Sequence, residues 1–128
     1  MTRRSSYDRG YQPPAPVALL RVVHPGGDAG VVAQGLIDTG ADCTLVPESL
    51  ARVLDLPCVG RLEVLGVGGG GGSAPAYAAR VEIAGNAILT RLVAYEEDVI
   101  IGRDVLNRLL LVLHGPRQRV RVTSPKPR

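Results

Sequence analysis

The sequence contains no tryptophan and no phenylalanine, and four tyrosines supply all of its Phe, Trp and Tyr side chains. Two of them, Tyr7 and Tyr11, lie near the N-terminus. A nucleic-acid interface needs basic residues clustered with stacking aromatics on a folded face. Much of the excess behind the net charge of +3 lies instead near the two ends of the chain. We therefore expect no nucleic-acid partner.

Cysteine is also scarce, because Cys43 and Cys58 are the only two in 128 residues. Two loosely spaced cysteines do not make a disulfide framework, so we expect a reducing compartment. Together with His24 and His114 they provide neither a C-x-x-C nor an H-x-x-x-H pair, the spacings typical of zinc sites. The sequence therefore predicts no metal site and favours a buried thiol with solvent-facing histidines.

Long hydrophobic runs are absent as well, since none approaches the roughly 18 residues that a membrane helix needs. The segment "APVALLRVV" is interrupted by Arg21 and lacks the uninterrupted apolar stretch of a signal peptide. We expect a soluble, cytoplasmic protein without membrane contact.

Hydrophobic residues nevertheless make up 45% of the sequence, which excludes a disordered chain and, without Phe or Trp, predicts an aliphatic core. The length suits one domain. Residues 1–16 carry few aliphatic side chains and are predicted to form a flexible N-terminal tail. The domain is predicted to span residues 17–123, with a C-terminal tail at 124–128.

Short Val-rich and Leu-rich segments alternate with Pro and Gly turns, the pattern of an all-β domain. "VALLRVVH" and "VVAQGLID" predict a hairpin around "PGGDAG", with Asp38 at its far end. Further strands are predicted in "RLEVLGV", "YAARVEIAG", "AILTRLVAY" and "DVIIG", and two more in "LLLVLHGPRQRVRVT" around Gly115 and Pro116. "PESLARVLDL" and "RDVLNR" predict two short helices.

Asp38 stands in "GLIDTGADCTLVP", the stretch from Gly35 to Pro47. Taken alone, Asp-Thr-Gly is consistent with an Asx turn at the end of a strand. The alternative is acid–base catalysis, in which one carboxylate takes a proton from water while a second carboxylic acid donates to a peptide carbonyl. Because the chain has one plausible copy of this turn, the second acid would come from another subunit across a two-fold axis.

The segment "LIDTGADCTLVP" resembles the active-site signature of the retropepsin-like aspartic proteases, the family of the retroviral proteases and their bacterial relatives. Two more blocks agree in kind and order: "LGVGGGGG" falls where the family has its glycine-containing flap, and "VIIGRDVLN" resembles the segment before its short helix. The blocks and their intervening strands span Val17 to Val122, and the Arg, Gly, Ala and Val content favours a bacterial chain. The resemblance implies a homodimeric retropepsin-like acid-protease fold, a small closed or partly open β-barrel with a Gly-rich flap hairpin.

The resemblance also implies roles for single residues. Asp38 would be the catalytic aspartate, one per subunit, with Thr39 and Gly40 building the turn beneath the pair. Arg103 would form an ion pair with Asp42 near the dimer interface. The residues implied to bind substrate are Ala41 and Asp42 in the cleft, and Val67, Gly68, Gly69 and Gly70 on the flap.

Three functions stay open at this point. The first is an aspartic endopeptidase that cuts extended polypeptides and needs no metal or other cofactor. The second is a non-catalytic retropepsin-like domain that keeps the dimer and cleft and binds a peptide or partner protein. The third is a monomeric β-barrel with an incidental Asp-Thr-Gly turn. A phosphate-binding loop at the glycine run is disfavoured because "GGSAPAY" provides neither Gly-Lys-Ser/Thr nor a following helix.

Overall fold

The computed structural model describes residues 1–65, 71–95 and 97–125. In chain order, the elements of this part are β1 (Thr2–Ser6), β2 (Val17–Val23), β3 (Gly30–Ile37), β4 (Leu45–Val46), α1 (Glu48–Val53), β5 (Cys58–Leu65), β6 (Gly71–Ile83), β7 (Asn86–Ala94), β8 (Val99–Ile101), α2 (Arg103–Leu106), β9 (Leu110–His114) and β10 (Arg119–Thr123).

Six strands close into a barrel. The larger sheet has the order β2-β3-β8-β4-β7-β6-β5, and β2 also pairs with β6, which closes the ring. The strands of this barrel alternate inward and outward residues, and the inward positions are aliphatic. Fully buried members of this core are Val22, Val46, Val81, Leu92 and Ile101. The predicted all-β barrel with an aliphatic core and short helices is therefore confirmed.

An ion pair on the outer face spans the closure of the barrel. Arg21 on β2 lies opposite Glu82 on β6, with 2.9 Å between Nη1 and Oε1. Arg80 also reaches Glu82, with 3.4 Å between Nε and Oε2. The hydrogen bond from Arg21, supported by the one from Arg80, holds the pKa of Glu82 below its usual value.

Glu82→Gln is expected to be slightly less stable than the wild type at neutral pH, with a gap that closes on acidification. Because the pKa of Glu82 is lowered in the folded state, its contribution is fully present above the unfolded-state pKa and is lost as the pH falls through the folded-state pKa. The effect is small because the pair is partly exposed and screened by solvent. Urea unfolding midpoints at a series of pH values test this, with the exposed Glu63→Gln as control. A gap that is unchanged at acidic pH contradicts the prediction.

The predicted β2–β3 hairpin is present, and β5 pairs antiparallel with β6 in the described residues. Strands β2 and β3 pair from Val17 opposite Leu36 to Val23 opposite Gly30. Strands β5 and β6 pair up to Leu65 opposite Gly71. The tip between β5 and β6, which contains the predicted flap residues 67–70, lies outside the described residues.

The two predicted helices are both present and both short. Helix α1 ends where Asp55 adopts a positive φ of 50°, and Leu56 N–H donates back to the Ala51 carbonyl. This is the hydrogen-bond pattern of a left-handed helix C-terminus, with an Asp in the place usually taken by Gly. Helix α2 begins directly after Gly102. Neither helix in the described part of the chain is long and apolar enough to cross a membrane.

The prediction of a flexible tail at residues 1–16 is wrong for its first part. Strand β1 pairs antiparallel with β10 along its whole length, and the Ser5 hydroxyl donates to the Val17 carbonyl at 2.9 Å. Asp8 and Ala15 form a further bridge. The aliphatic content of this segment is low, but backbone hydrogen bonds to a neighbouring strand do not depend on it. The folded part of the chain therefore begins well before residue 17, and β1, β10 and β9 form a second, three-stranded sheet.

Candidate active site

Asp38 is the first residue after β3, and the end of that strand is fixed by β8. The two strands run parallel, with Ile37 opposite Ile101. The Asp38 N–H then donates to the Ile101 carbonyl at 3.1 Å, which extends the ladder by one residue. The barrel therefore fixes the backbone of Asp38. The half-buried side chain of Asp38 lies just beyond the end of β3.

A tight turn follows Asp38 at once. Its Oδ1 atom accepts the Gly40 N–H at 2.9 Å, and its carbonyl accepts the Ala41 N–H at 3.2 Å. The Asx turn expected from Asp-Thr-Gly is thus formed, and it engages one of the two carboxylate oxygens. This turn orients the carboxylate without consuming its capacity to take a proton at the other oxygen.

Arg103 anchors the loop that carries the turn. Its backbone N–H donates to the Ala41 carbonyl and its Nη1 donates to the Thr39 carbonyl, both at 2.8 Å. The predicted ion pair with Asp42 is not among the salt bridges of the described residues. The bend at Gly40 presents the Thr39 carbonyl to the guanidinium, while Asp42 is exposed. Arg103 therefore holds the loop through backbone carbonyls, which a guanidinium can bind as donor.

A hydrogen-bond network centred on the buried Thr44 fixes the far end of the same loop. Thr44 is completely buried, and its Oγ1 accepts the Gly102 N–H at 3.1 Å and donates to Asp104 Oδ1 at 2.8 Å. Thr90 on β7 donates to Asp104 Oδ2 at 2.7 Å. The carboxylate of Asp104 thereby joins the active-site loop, α2 and the barrel wall. Among the described residues no buried side-chain polar atom lacks a partner.

Solved structures of proteases share this arrangement of strands. A retropepsin-like aspartic protease from Rickettsia conorii matches with a TM-score of 0.58 and 12% identity over 94% of this chain and 98% of that one. EIAV protease in complex with an inhibitor matches with a TM-score of 0.54 and 22% identity over 73% of this chain and 86% of that one. The chain has the retropepsin-like fold. No protein-family model and no curated protein matches the sequence, so the likeness lies in the structure.

The retropepsin-like fold brings together some of the predicted site residues. Asp38, Thr39, Gly40 and Ala41 form one loop, and Arg103 contacts it directly. Ala41 is predicted to offer backbone groups to a substrate, but both its N–H and its carbonyl are already hydrogen-bonded within the chain. Asp42 follows on the exposed side of the loop. The predicted flap residues Val67, Gly68, Gly69 and Gly70 lie outside the described residues.

The sequence analysis missed the roles of Thr44, Thr90 and Asp104. The sequence could have pointed to Thr44, because Thr44 belongs to the segment that resembles the family signature. Nothing in the sequence points to Thr90, since a threonine in the middle of a strand is common in β structure. Its partner Asp104 lies 14 residues further along the chain, near the start of the predicted helix "RDVLNR", where a carboxylate is favoured without any such network.

Thr44→Val is expected to destabilise the protein by about 2 kcal/mol, because it leaves the Gly102 N–H and Asp104 Oδ1 without their buried partner. Valine keeps the shape, so loss of packing contributes little. Chemical denaturation measures the effect. The matched control is Thr123→Val, which removes the hydroxyl of an exposed pair with Thr2 and should change stability by less than about 0.5 kcal/mol. Equal stability of the two variants contradicts a structural role for the network.

Cys43 lies inside the loop but is not set up as a nucleophile. Burial, followed by the neighbouring carboxylates of Asp42 and Asp104, raises the pKa of its thiol to about 11. The thiol is therefore protonated at neutral pH, whereas catalytic cysteines need the thiolate. Neither cysteine is fully buried as expected, because Cys43 is half-buried and Cys58 is exposed. Within residues 1–65, 71–95 and 97–125, no group of three or more His, Cys, Asp or Glu side chains could hold a metal ion.

Proposed function

We propose that this protein is a homodimeric aspartic endopeptidase that hydrolyses extended polypeptides with water activated between two Asp38 carboxyl groups. The observation that carries the proposal is the Asp38-Thr39-Gly40 turn at the end of β3, held on both sides by the β8–α2 junction. It combines a partly exposed carboxylate with a rigid backbone support. The retropepsin-like fold adds a scaffold of the same kind as the known proteases that it resembles.

The chemistry needs two carboxyl groups in different protonation states. Two carboxylates about 3 Å apart cannot both ionise, so the pair shares one proton, as is well known for aspartic proteases. The ionised Asp38 takes a proton from water as the water oxygen attacks the peptide carbonyl. The protonated Asp38 of the other subunit donates its proton to the carbonyl oxygen. The Asp38 that took the water proton then donates it to the amide nitrogen, the C–N bond breaks, and the other Asp38 regains a proton from a hydroxyl group of the tetrahedral intermediate, which restores the starting state.

The hydrogen bond from the Gly40 N–H to Oδ1 orients the carboxyl group of Asp38. It also fixes the plane of the carboxylate, because Gly40 lies only two residues away on a loop that Arg103 anchors. The loop therefore holds the general base in place before substrate arrives.

Substrate is proposed to bind as an added strand between the loop and the flap. Side chains of an extended peptide alternate in direction and can enter separate pockets. Because both backbone groups of Ala41 are engaged, we assign the loop's contacts with the peptide to its neighbours Gly40 and Asp42.

Digestion of a peptide library at acidic to neutral pH tests the proposal. Mass spectrometry should find cleavage products with the wild type and none with Asp38→Asn. The control Asp55→Asn removes an exposed carboxylate at a position of positive φ that asparagine also adopts readily, so its cleavage should match the wild type. Cleavage by Asp38→Asn at the wild-type rate refutes the proposal. Saturable peptide binding without cleavage at any pH would favour the non-catalytic alternative.

A further inference from the structure

Basic residues from the two ends of the chain come together in the fold, because β1 pairs with β10. Residues 1–7 and 105–128 contain eight of the 15 lysines and arginines and none of the 12 aspartates and glutamates. The segment between them, residues 8–104, has seven basic residues against those 12 acidic ones. The net charge of +3 is therefore the sum of an acidic barrel segment and a second sheet whose Asp, Glu, Lys and Arg positions are all basic.

Three arginines share the outer face of the second sheet. Arg4 on β1 lies directly opposite Arg121 on β10, and directly opposite residues point to the same face. Arg119 is two residues from Arg121 on the same strand, so it lies on this face as well. All three are exposed, whereas the alternate residues Val120 and Val122 are buried in the core. We refer to Arg4, Arg119 and Arg121 as the arginine face.

The arginine face has no acidic partner among the described residues. The salt bridges in this part of the chain use Arg21, Arg52 and Arg80. Like charges directly opposite each other on neighbouring strands are unfavourable, and Arg4 and Arg121 form such a pair. Because neither strand contains an acidic residue, a negatively charged partner is what can relieve this repulsion.

Arg119 is already held in position for such a partner. Its Nη1 donates to Ser6 Oγ at 3.2 Å, which directs its side chain from β10 toward β1. This hydrogen bond uses one of the five N–H donors of a guanidinium, and a carboxylate can accept two others side by side. Arg119 and Arg121 are about 6.7 Å apart along the strand, the same spacing as alternate side chains of an extended peptide. Acidic residues at every second position of a peptide can therefore meet both arginines.

The residues around the arginines favour an acidic polypeptide over a nucleic acid. Single-stranded nucleic acids bind through stacking on aromatic side chains as well as through charge. The rest of this face contains no Phe, Tyr or Trp and consists of Thr2, Ser6, Thr123, Leu110, Val112 and His114. The choice of a polypeptide among anionic partners also rests on the proposed function, because a peptidase meets polypeptides.

One end of the second sheet lies next to the strand that carries Asp38. The Tyr7 N–H donates to the Gln118 carbonyl at 2.9 Å, which joins the end of β1 to the β9–β10 turn. The next residue, Asp8, accepts a hydrogen bond from Gln34 Nε2 on β3 at 3.0 Å. Strand β3 ends directly before Asp38. A short stretch of one polypeptide can therefore link the candidate site to the arginine face.

We propose that the arginine face is an exosite, a second binding site that holds an acidic segment of the polypeptide substrate outside the cleft. The segment carries Asp or Glu at every second position, and its carboxylates pair with Arg4, Arg119 and Arg121. Binding there raises the effective concentration of the attached cleavage site near Asp38. The exosite selects which polypeptides are held, whereas the cleft selects the bond that is cut.

Fluorescence anisotropy with a labelled peptide of alternating Glu and Gly tests the exosite. Arg119→Gln/Arg121→Gln is expected to raise the dissociation constant of this peptide about 10-fold, because two charge-assisted contacts are lost. The matched control Arg52→Gln/Arg91→Gln removes two exposed positive charges from the barrel and should stay within about twofold of the wild type. The same peptide with Gln in place of Glu should not bind measurably, and added salt should weaken binding of the Glu peptide.

Arg4→Gln separates loss of binding from loss of folding. It removes the repulsion with Arg121, so we expect the thermal unfolding midpoint to rise by about 1 to 4 °C. Its dissociation constant for the Glu peptide should nevertheless rise about threefold. Arg4→Lys keeps the charge and should resemble the wild type in both measurements. An Arg4→Gln protein with wild-type affinity for the Glu peptide contradicts the role of Arg4.

The outcomes separate the exosite from the proposed function. Wild-type affinity in Arg119→Gln/Arg121→Gln refutes the exosite, whether or not the protein cleaves peptides. Tighter binding of a single-stranded oligonucleotide or of phosphatidylserine vesicles than of the Glu peptide assigns the face to another partner and also refutes it. Loss of Glu-peptide binding in this variant, with no cleavage by the wild type, refutes the enzyme and leaves the arginine face as a binding site for acidic polypeptides.

Cleavage kinetics test whether the exosite acts on substrate. The substrate is a peptide cut by the wild type, extended by the alternating Glu and Gly sequence. Arg119→Gln/Arg121→Gln is expected to raise KM for this substrate about 10-fold and to leave kcat unchanged, because the arginine face does not touch the reacting atoms. The peptide without the extension should show the same KM with both proteins. An unchanged KM for the extended substrate refutes recruitment through the arginine face.

Discussion

Asp38→Asn is expected to lower the rate of peptide cleavage by at least about 100-fold and by up to about 10⁴-fold, the range contributed by a positioned acid–base group. Asparagine keeps the Oδ1 acceptor for the Gly40 N–H, so the turn should persist. It cannot take a proton from water, so both carboxyl groups of the dimer are lost together. The measurement is kcat on a peptide found in the library digestion, with thermal unfolding and sedimentation showing that fold and dimer are retained.

A mixing experiment shows whether the two Asp38 residues act as a pair. If equal amounts of wild type and Asp38→Asn exchange subunits at random, only about one quarter of the dimers carry two aspartates. Activity per wild-type subunit should then fall to about half, and a large excess of the variant should suppress it almost completely. Mixing the wild type with Asp55→Asn should leave the activity per wild-type subunit unchanged. Activity that stays proportional to the wild-type subunit contradicts a shared pair.

Much of the fold could be predicted because its elements carry local patterns. The β2–β3 hairpin shows two aliphatic runs separated by a Pro-Gly turn, and the turn after Asp38 follows from the chemistry of Asp-Thr-Gly. These features depend on residues close together in the chain. The prediction placed Asp38 at the end of a strand, and the structure confirms that position.

The features that were missed depend on residues far apart in the chain. Strand β1 is polar and is recruited by β10 through backbone groups more than 100 residues away, which no hydrophobic pattern reveals. Strand β4 has only two residues, too few to show any periodicity. The contact of Arg103 with the Thr39 carbonyl could not be predicted, because the spacing of Arg103 from the loop does not say whether its guanidinium meets a carboxylate or a carbonyl.

The sequence also does not show at which glycines an added Cβ atom would collide with neighbouring atoms. A Cβ at Gly27 would have no atom within 4 Å among the described residues, whereas one at Gly35 would lie 2.6 Å from Ile101 Cγ1. A Cβ at Gly102 would overlap the Cys43 carbonyl oxygen and lie 2.5 Å from the Cys43 carbonyl carbon. The obstacle at Gly35 is the buried side chain of Ile101, whereas the obstacle at Gly102 is backbone of the loop that carries Asp38.

Gly102→Ala is therefore expected to cost about 3 kcal/mol or more in the free energy of unfolding, at the upper end for overpacking a buried site. Gly35→Ala should cost about 1 to 3 kcal/mol, because it overpacks the buried side chains of Ile101 and Val99, and Gly27→Ala should change stability by less than about 0.5 kcal/mol. Urea unfolding measures all three. A folded Gly102→Ala protein must displace Cys43, which lies between the Asp38 turn and Thr44, so its cleavage rate should fall even below the unfolding transition. Wild-type stability and activity in Gly102→Ala would show that the loop does not need its close contact with the start of α2.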